Sequence, residues 1–341
     1  MTITSNFEPN DIIKQIEKTN IKGKHLIFID DFSSTELENI FKTAFMLEPF
    51  WRLRIPLLEN KVLCTQFFQP STRTRFSHET AMIRLGGSVI TESNPLVSSS
   101  AAKGESLYDS LRVTSQYADI IVLRHPDANI IDTIKELGRD SSPIISGGYG
   151  DVTHPTQGLL DMYTAYRALG EDFKKMTVMI ATPDLSRARS GQSFGLGLAK
   201  MGAKLLYSGT TGLEIPLVIR EKLRKMNANF SEINDLTIKQ HEEMLADEKV
   251  DLLYLPGCSV KKGDPGRDEF LKKMDEYYFT LEGLQNIKNK CGKIIGLMHS
   301  LPRNSGEFDF KIDASEHELY FKQISFSVPL RMSLLANICD S

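Results

Sequence analysis

Short apolar runs alternate with segments of helical periodicity along most of the chain, and both kinds recur in each half. In the first half, the runs that predict strands are HLIFI (25–29), VLCTQFF (62–68), SVI (88–90), ADIIVLR (118–124) and SPIISGG (142–148). In the second half, they are MTVMIAT (176–182), KLLYSG (204–209), VDLLYLPG (250–257) and KIIGLMHSLP (293–302). Alternating strands and helices are typical of parallel sheets covered by helices. The pattern therefore predicts an α/β protein in which each half forms a parallel sheet flanked by helices.

The 341 residues are enough for about two domains of ordinary size. A helix predicted over residues 156–170, followed by Gly170–Lys175 as a hinge, marks the boundary between them. The predicted segments are an N-terminal leader over 1–24, a first domain over 25–168, a second domain over 169–322 and a C-terminal helix over 323–341. We expect that last helix to return to the first domain.

Composition and charge are those of an ordinary soluble globular protein, with 41% apolar and 25% charged residues. The net charge of −3 predicts no general attraction to nucleic acid or to an anionic membrane. The four cysteines lie far apart without a CxxC pair, which indicates neither a zinc site nor a disulfide framework. Because the sequence has no apolar leader and no run of about 18 apolar residues, we expect a cytoplasmic protein.

Sequence motifs for common cofactors are missing. The strand MTVMIAT is followed by PDLSRARS instead of the glycine-rich turn of a dinucleotide site. The sequence also contains no Walker motif, no HExxH and no GxSxG. We therefore expect the protein to use neither a cofactor nor a metal ion.

Polar clusters follow the apolar strands at five places. They begin at Ser71, Arg124, His154, Asp184 and His299. Open parallel sheets bind their ligands outside the carboxyl ends of the strands, which is where the predicted fold puts these clusters. The sequence therefore predicts binding groups at several strand ends.

The segment QPSTRTRFSHET (69–80) begins a predicted helix with arginines, although a helix N-terminus carries partial positive charge. A bound anion would turn this unfavourable accumulation of positive charge into a favourable one. The N–H groups of a helix start, the hydroxyls of Ser71–Thr74 and the guanidinium of Arg73 together suit a phosphate. A surface helix cap with arginines in solvent is the alternative. Arg124 adds a second guanidinium at another strand end.

Three further residues are candidates for the site: Lys103, His154 and Gln157. His154 precedes Pro155 in the first turn of a helix, where an imidazole can donate a hydrogen bond to a carbonyl oxygen. Gln157 lies one turn further along. Lys103 is in a run of small residues and can close over an anion as part of a lid. Taken singly, each of these residues also suits a structural or solvent-exposed role.

Seven strings, in this order along the chain, carry a resemblance to a known family. They are FFQPSTRTRFSHETAMIRLGGSV, KGESLYDS, VLRHP, HPTQGLLDMYT, PDLSRARSGQS, MHSLPR and YFKQ…RMSLL. The chain resembles the aspartate carbamoyltransferases within the aspartate/ornithine transcarbamoylase family. The resemblance implies two α/β domains with the active site in the cleft between them. It also implies carbamoyl phosphate and an amino acid as substrates, and a homotrimer with active sites shared between subunits.

The resemblance also implies roles for individual residues. The implied ligands of carbamoyl phosphate are Ser71, Thr72, Arg73, Thr74, Ser99, Lys103, Arg124, His154, Gln157 and Leu301. His154 would bond the carbamoyl oxygen and Gln157 the carbamoyl nitrogen, while Ser99 and Lys103 would come from the neighbouring subunit. Arg189 matches the residue that holds the α-carboxylate of the acceptor, and Leu301 a backbone position beside the carbamoyl group. The implied catalytic residues are Arg73, Thr74, Lys103, Arg124 and His154.

The sequence departs from the family pattern where the second carboxylate of aspartate would bind. Aspartate-specific members carry an arginine, and a glutamine two residues later, after the strand that corresponds to VDLLYL. Gly257 and Ser259 occupy these positions here. Ser300 also replaces a proline of the family motif H-P-L-P-R. Lys261, Lys262 or Arg267 can substitute for the missing arginine only if the loop takes another route.

Three functions remain open at this point. The first is carbamoyl transfer to L-aspartate, which gives N-carbamoyl-L-aspartate and phosphate for pyrimidine biosynthesis. The second is carbamoyl transfer to a different amino acid or amine in a specialised pathway. The third is a catalytically weak scaffold or binding homologue, although such a protein has no evident need for the whole carbamoyl phosphate set. The sequence leaves open whether regulatory subunits attach.

Overall fold

The computed structural model describes residues 9–98, 100–257, 267–304 and 306–339. The chain divides into two compact units. Unit 1 contains the residues up to Thr156 and those from Ser325 onward, and unit 2 contains Gln157–Ile324. Each unit has its own parallel sheet, as the strand pattern predicts.

Unit 1 is built on four parallel strands. They are β1 (Val62–Phe67), β2 (Ser88–Glu92), β3 (Ile120–His125) and β4 (Ile144–Tyr149). The strand order is β2-β1-β3-β4. The helices up to the end of this part of the chain are α1 (Pro9–Thr19), α2 (Ser34–Leu47), α3 (Thr72–Arg84), α4 (Pro95–Ser98), α5 (Leu107–Thr114), α6 (Ile130–Leu137) and α7 (Pro155–Leu169). Short 3-10 helices cover Ile29–Asp31, Glu48–Phe50, Ser100–Lys103 and Gly138–Asp140.

The core of unit 1 explains why its strands read as continuous apolar runs. The four residues Ile120, Ile121, Val122 and Leu123 of β3 are all buried, because helices cover both faces of an inner parallel strand. A hydrophobic cluster joins β3 and β4 to helices α5 and α6 through Ile121, Ile144, Leu111 and Ile134. The edge strand β2 has no buried residue, which is why only its short SVI run was visible in the sequence.

The run HLIFI (25–29) does not form the predicted strand. Leu26 makes a single parallel bridge with Ile145 of β4. The chain then turns, since the backbone N–H of Phe28 donates to the carboxylate of Asp31 at 2.9 Å. The apolar run therefore reflects burial beside β4 and not an extended fifth strand.

The N-terminal segment also differs from the expected leader over 1–24. Helix α1 packs on α2, and Ile12 and Ile21 are 3% and 0% exposed. Residues 9–24 are therefore part of unit 1. Residues 1–8 lie outside the described ranges.

Unit 2 is built on five parallel strands. They are β5 (Thr177–Ala181), β6 (Lys204–Gly209), β7 (Phe230–Asn234), β8 (Leu252–Leu255) and β9 (Gly296–His299). The strand order is β7-β6-β5-β8-β9. Its further helices are α8 (Arg189–Lys200), α9 (Leu217–Lys225), α10 (Ile238–Asp247), α11 (Arg267–Lys273), α12 (Leu281–Cys291) and α13 (Tyr320–Ser325). Short 3-10 helices cover Phe173–Lys175, Met274–Tyr277 and Phe310–Ala314.

The last helix of the chain, α14 (Ser327–Ile338), packs on α2 and α3 of unit 1. The hydroxyl of Ser333 donates to the carbonyl of Ile40 at 2.7 Å, and the N–H of Gly23 donates to the carbonyl of Ile338 at 2.9 Å. The division between the two compact units falls at Thr156, near the start of α7, whereas the sequence predicts a domain boundary at residue 168.

Both sheets have a point where the strand order reverses. In unit 1 this point lies between β1 and β3, and in unit 2 it lies between β5 and β8. Crevices outside the carboxyl ends of strands at such points are the usual binding places of doubly wound sheets. The fold therefore predicts binding residues in the segments at the carboxyl ends of β1, β3, β5 and β8. Within the described ranges, none of the helices has the length and apolar character needed to cross a bilayer.

Candidate active site

The start of α3, directly after β1, is the first of these segments. Ser71 is at the N-cap with an extended backbone, and Thr72 begins the helix. Thr74 is buried, and its carbonyl oxygen accepts a hydrogen bond from His78 Nδ1 at 2.7 Å. Desolvation by the surrounding protein lowers the pKa of the Arg73 guanidinium, although the residue keeps contact with solvent. Helix N–H groups beside an incompletely solvated cation favour a bound anion.

The two arginines of this segment have different environments. Arg75 Nε lies 3.8 Å from Glu79 Oε1, one helical turn further on. Its guanidinium also lies 5.1 Å from the ring centre of Phe76. Arg75 is therefore engaged by neighbours on α3 itself, and the more exposed Arg73 remains a candidate for binding an anion.

The end of β3 brings Arg124 beside this helix start. Phe67, the last residue of β1, is paired with Arg124 in the parallel register. The next residue, Phe68, donates its N–H to the carbonyl of Arg124 at 2.9 Å. Ser71 follows only three residues later, so Arg124 and the start of α3 occupy the same edge of the sheet.

Arg124 also contacts the end of β4. Its Nη1 donates to the carbonyl of Gly147 at 2.8 Å and lies 3.4 Å from His154 Nε2. His154 is 7% exposed. The structure thus brings together two of the residues that the sequence predicts for the site.

The glycines of β4 make this approach possible. A Cβ atom on Gly148 would lie 3.1 Å from Arg124 Nη1 and 3.5 Å from His154 Cδ2, and this residue has a φ of +114°. A Cβ atom on Gly147 would lie 3.3 Å from that of Arg124. These two glycines were not among the predicted site residues. The sequence feature that could have identified them is the Gly-Gly pair at the end of an apolar strand. Glycine at such a position often marks a place where another group approaches the backbone closely.

The turn after β4 fixes the position of His154. The hydroxyl of Thr153 donates to the carbonyl of Ile27 at 3.1 Å, and the N–H of Tyr149 donates to the carbonyl of Thr153 at 3.0 Å. Thr156 Oγ1 lies 3.4 Å from His154 Nδ1. Contacts of the residues before and after His154 therefore fix the backbone that carries the imidazole.

In unit 2, Gln157 lies in the first turns of α7. Its Nε2 donates to Asp161 Oδ1, one turn later, at 2.8 Å. Asp161 is fully buried and also accepts from the hydroxyl of Tyr254 at 2.8 Å. Asp161 was not among the predicted site residues, because a lone aspartate in a helix carries no sequence signal of its own.

Arg189 is the first residue of α8, and hydrogen bonds hold the loop before it. Buried Asp184 accepts from the hydroxyl of Ser186 at 2.5 Å. Gln192, inside α8, donates its Nε2 to the carbonyl of Leu185 at 3.1 Å. These bonds fix the turn between β5 and α8, so the half-buried side chain of Arg189 starts from a defined position.

The carboxyl ends of β5, β8 and β9 surround an open pocket. Its lining residues are Ala181, Thr182, Pro183, Leu255, Pro256, Met274, Tyr277, His299 and Glu307. Within this described lining, Glu307 is the one Asp, Glu, Lys or Arg side chain. The pocket therefore offers a buried carboxylate and an imidazole, and no guanidinium or ammonium from the described part of unit 2.

Gly257 lies beside this pocket and is packed tightly. A Cβ atom on it would lie 3.2 Å from His299 Cε1 and 3.3 Å from Ser300 Oγ, which is closer than most side-chain contacts. Its N–H donates to Ser300 Oγ at 3.1 Å. His299 Nδ1 accepts the N–H of Leu301 at 2.9 Å, so the ring proton is on Nε2, which lies 3.2 Å from Glu307 Oε2. Position 257 therefore cannot take a larger side chain without displacing its neighbours.

The remaining predicted residues are only partly described. Leu301 has a φ of +50°, a strained conformation for a branched residue that is common where a backbone group is held in place for function. Lys103 is exposed at the end of a 3-10 helix. Arg267 begins α11 and lies 3.7 Å from Asp268. Ser99, Ser259, Lys261 and Lys262 lie outside the described residues.

Known proteins match this chain over nearly its whole length. Residues 24–167 match the family model of the aspartate/ornithine carbamoyltransferase carbamoyl-P binding domain. A ureidoglycine carbamoyltransferase of Rubrobacter xylanophilus is 45% identical over 324 residues, which cover 95% of this chain and 94% of the relative. An aspartate carbamoyltransferase catalytic subunit of Thermococcus gammatolerans is 38% identical over 315 residues, which cover 92% of this chain and 96% of the relative.

Solved structures agree with these matches. The catalytic subunit of M. jannaschii aspartate transcarbamoylase superposes with a TM-score of 0.78 at 36% identity, covering 93% of this chain and 99% of that one. Aspartate transcarbamoylase from Trypanosoma cruzi, in complex with carbamoyl phosphate and aspartate, superposes with a TM-score of 0.82 at 26% identity. That match covers 94% of this chain and 98% of the other. This chain therefore belongs to the aspartate/ornithine carbamoyltransferase family and is a carbamoyltransferase.

Proposed function

We propose that this enzyme transfers the carbamoyl group of carbamoyl phosphate to the amine of ureidoglycine. The amine attacks the carbamoyl carbon, phosphate leaves with the electrons of the broken C–O bond, and the amine loses a proton. The products are phosphate and an acetate that carries two ureido groups on one carbon. The observation that supports this acceptor is the pocket beside Gly257, whose described lining contains the carboxylate of Glu307 and no arginine or lysine.

The carbamoyl phosphate half of the proposed site uses residues that the family pattern assigns. Its proposed members are Ser71, Thr72, Arg73, Thr74, Arg124, His154, Gln157 and Leu301, with Ser99 and Lys103 contributed by the neighbouring subunit of a homotrimer. The contact between Arg124 and His154 supports this assignment, since it brings a phosphate ligand beside a donor for the carbamoyl oxygen.

The reaction needs no covalent enzyme intermediate. The enzyme can accelerate it by positioning the two substrates and by stabilising the charge that develops. The carbamoyl oxygen becomes an oxyanion when the amine attacks. A pre-placed donor such as His154 stabilises that charge, and guanidinium groups stabilise the departing phosphate. A donor of this kind typically contributes about 10²–10³ in rate.

The acceptor half of the proposed site must recognise an amino acid. We assign Arg189 to its α-carboxylate, as in the family pattern. Ureidoglycine and aspartate share an α-carboxylate and an α-amine, and they differ in the second group. Aspartate carries CH₂–COO⁻, whereas ureidoglycine carries the neutral NH–CO–NH₂ group of nearly the same shape.

The pocket beside Gly257 discriminates between these two groups. A second carboxylate there would lie in a partly desolvated space with Glu307 and would have no cationic partner from the described lining. Loss of a charge-assisted hydrogen bond costs roughly 1.5–3 kcal/mol, and repulsion adds to this cost. The NH₂ and NH groups of a ureido group can instead donate to a carboxylate. The similarity to the ureidoglycine carbamoyltransferase of R. xylanophilus supports the same acceptor.

Aspartate remains the second candidate, because several relatives are aspartate carbamoyltransferases and Arg189 suits any α-amino acid. That function would require a cation from residues 258–266, which lie outside the described ranges. Lys261 and Lys262 are the available residues there. Pyrimidine biosynthesis would then be the setting of the enzyme.

Product analysis tests the proposal directly. Ureidoglycine is an aminal and loses its amine readily, so the reaction is best followed in reverse. The diureido acid and phosphate should yield carbamoyl phosphate, detected by mass, and the forward assay with L-aspartate should release little phosphate. Efficient turnover of aspartate together with inactivity toward the diureido acid would overturn the proposed acceptor.

A further inference from the structure

A buried carboxylate organises the centre of unit 2. Asp161 is 0% exposed and accepts hydrogen bonds from three side chains. Gln157 Nε2 and the hydroxyl of Tyr254 each donate at 2.8 Å, and Gln323 Nε2 donates to the same oxygen as Gln157. The network therefore joins the helices α7 and α13 to the strand β8.

The direction of these hydrogen bonds is determined by chemistry. An ionised carboxylate can only accept, so each partner must present a donor to it. Burial, and then the negative charge of Asp161, raise the pKa of Tyr254 well above its ordinary value, so its hydroxyl keeps its proton. The side-chain amide of Gln157 must accordingly direct its NH₂ group at Asp161.

This constraint fixes the other end of the Gln157 amide. An amide has a donor end and an acceptor end, and rotation by 180° about its last bond exchanges them. With the NH₂ group held by Asp161, the carbonyl oxygen Oε1 is presented on the opposite side. A carbonyl oxygen complements the NH₂ group of a carbamoyl donor, whereas the flipped amide would oppose one NH₂ group with another.

The backbone around this pair is held as firmly as the side chains. A Cβ atom on Gly158 would lie 2.9 Å from the backbone carbon of Ser193 and 3.0 Å from the nitrogen of Phe194. Helix α7 therefore packs directly against the backbone of α8. The ring of Phe194 in turn packs on that of Tyr254, with 4.9 Å between the ring centres.

We propose that Asp161 is a positioning residue that orients the Gln157 amide and thereby gives the enzyme its preference for a carbamoyl over an acetyl donor. The proposal rests on the assignment of Gln157 to the carbamoyl nitrogen, and it is independent of the acceptor. A purely structural role of Asp161 is the competing explanation. The two explanations predict different effects of an Asp161 substitution on the binding of a phosphate donor that has no NH₂ group.

Acetyl phosphate provides that comparison, because it replaces the NH₂ of carbamoyl phosphate by a methyl group and keeps the phosphate and the carbonyl. The experiment measures the affinity of the assembled enzyme for both compounds in Asp161→Asn. We expect binding of carbamoyl phosphate to weaken about 3- to 10-fold, the effect of one lost hydrogen bond. We expect binding of acetyl phosphate to change less than about 2-fold. A merely structural defect would weaken both compounds equally and would overturn the proposal.

Two control variants separate the possible failures. Tyr254→Phe removes one donor to Asp161 but leaves the bond to Gln157, so it should lower the melting temperature and keep the preference. Gln157→Ala should lose the preference. An unchanged preference in Gln157→Ala would refute the assignment of Gln157 itself. Loss of the preference in Gln157→Ala but not in Asp161→Asn would overturn only the role of Asp161.

A second substitution covers the case in which Asp161→Asn does not fold. Asp161→Ser removes the carboxylate and leaves space that water can fill, and the same selective loss of carbamoyl phosphate binding is expected. If neither variant folds while Tyr254→Phe does, the residue serves folding and the proposal is wrong.

Discussion

Arg124 and His154 lie side by side, with 3.4 Å between the guanidinium Nη1 and the imidazole Nε2. Arg124 lies at the end of β3 and His154 follows β4, so neighbouring parallel strands bring them to the same edge of the sheet. A guanidinium suits a phosphate oxygen and an imidazole suits a carbonyl oxygen, and carbamoyl phosphate carries these two groups on either side of one bridging oxygen. Two side chains this close can contact neighbouring groups of one small substrate, as the proposed function requires.

Substitution of His154 should slow the chemical step more than it weakens binding. In His154→Ala the oxyanion loses a donor, and kcat should fall about 10²- to 10³-fold. Steady-state kinetics with both substrates saturating would measure this change. His125→Ala is a matched control, since that imidazole packs on Phe68 and its Nδ1 accepts the N–H of Asp127 at 3.0 Å. Equal losses in the two variants would remove His154 from the catalytic set.

The two halves of the proposed site should respond separately to loss of an arginine. Arg73→Ala should abolish detectable binding of carbamoyl phosphate, because it removes a charge-assisted partner of the phosphate. Arg189→Ala should leave that binding within about 2-fold and raise the KM of the acceptor. Calorimetry with carbamoyl phosphate measures the first effect and kinetics the second. Unchanged carbamoyl phosphate binding in Arg73→Ala would refute the phosphate assignment.

A methyl group at position 257 should disturb the acceptor and spare the donor. In Gly257→Ala the new Cβ meets His299 and Ser300 at 3.2 and 3.3 Å, so these neighbours must shift. Overpacking of this kind costs roughly 1–3 kcal/mol. We expect kcat/KM for the acceptor to fall about 5- to 100-fold, with carbamoyl phosphate affinity unchanged. Ser300→Ala, which removes the bond to the Gly257 N–H without adding volume, should have a smaller effect.

Stability should fall in mild acid because of a buried histidine. Burial, and then the positive charge of Arg331, lower the pKa of His78 to about 3, from an ordinary value near 6.5. Between these pH values, His78 is protonated in the unfolded chain and neutral in the folded chain. The contribution of neutral, buried His78 to the free energy of unfolding is therefore complete above pH 6.5, and it is lost as the pH falls toward 3.

Urea unfolding at pH 6.5 and pH 5 measures this effect. His78 should account for a loss of about 2 kcal/mol in the free energy of unfolding across this interval, and His78→Gln should show a shallower pH dependence. His241, whose pKa burial lowers to about 4, contributes in the same direction and remains in the variant. Identical slopes in the two proteins would contradict the assignment to His78.

The strand ends were predictable from the sequence because inner parallel strands are apolar along their whole length. Arg124 ends the buried apolar run of β3, and His154 comes shortly after the buried strand β4, so both strand ends could be located without a structure. Strand β7 (Phe230–Asn234) was missed, since it lies at the edge of its sheet and has a mixed sequence. The apolar pattern also misassigned residues 25–29, where one hydrogen bond from Phe28 to Asp31 turns the chain.

Side-chain networks account for most of what the sequence did not reveal. The partners of Asp161 come from three separated segments, and no local spacing connects Tyr254 or Gln323 with it. The environment of Gly257 likewise depends on a contact with His299, forty-two residues later. Such sites require the register of neighbouring strands, which only the folded chain supplies.

Helix α14 has a consequence for the order in which the protein forms during translation. Domains usually fold in the order of their synthesis, with the N-terminal one first. Here the strands of unit 1 leave the ribosome early, yet the helix that covers α2 and α3 is made last. Unit 2 is continuous in sequence and has all its elements available before that helix emerges. The part of the chain made first is therefore expected to reach its native packing last, with an uncovered apolar surface in the meantime.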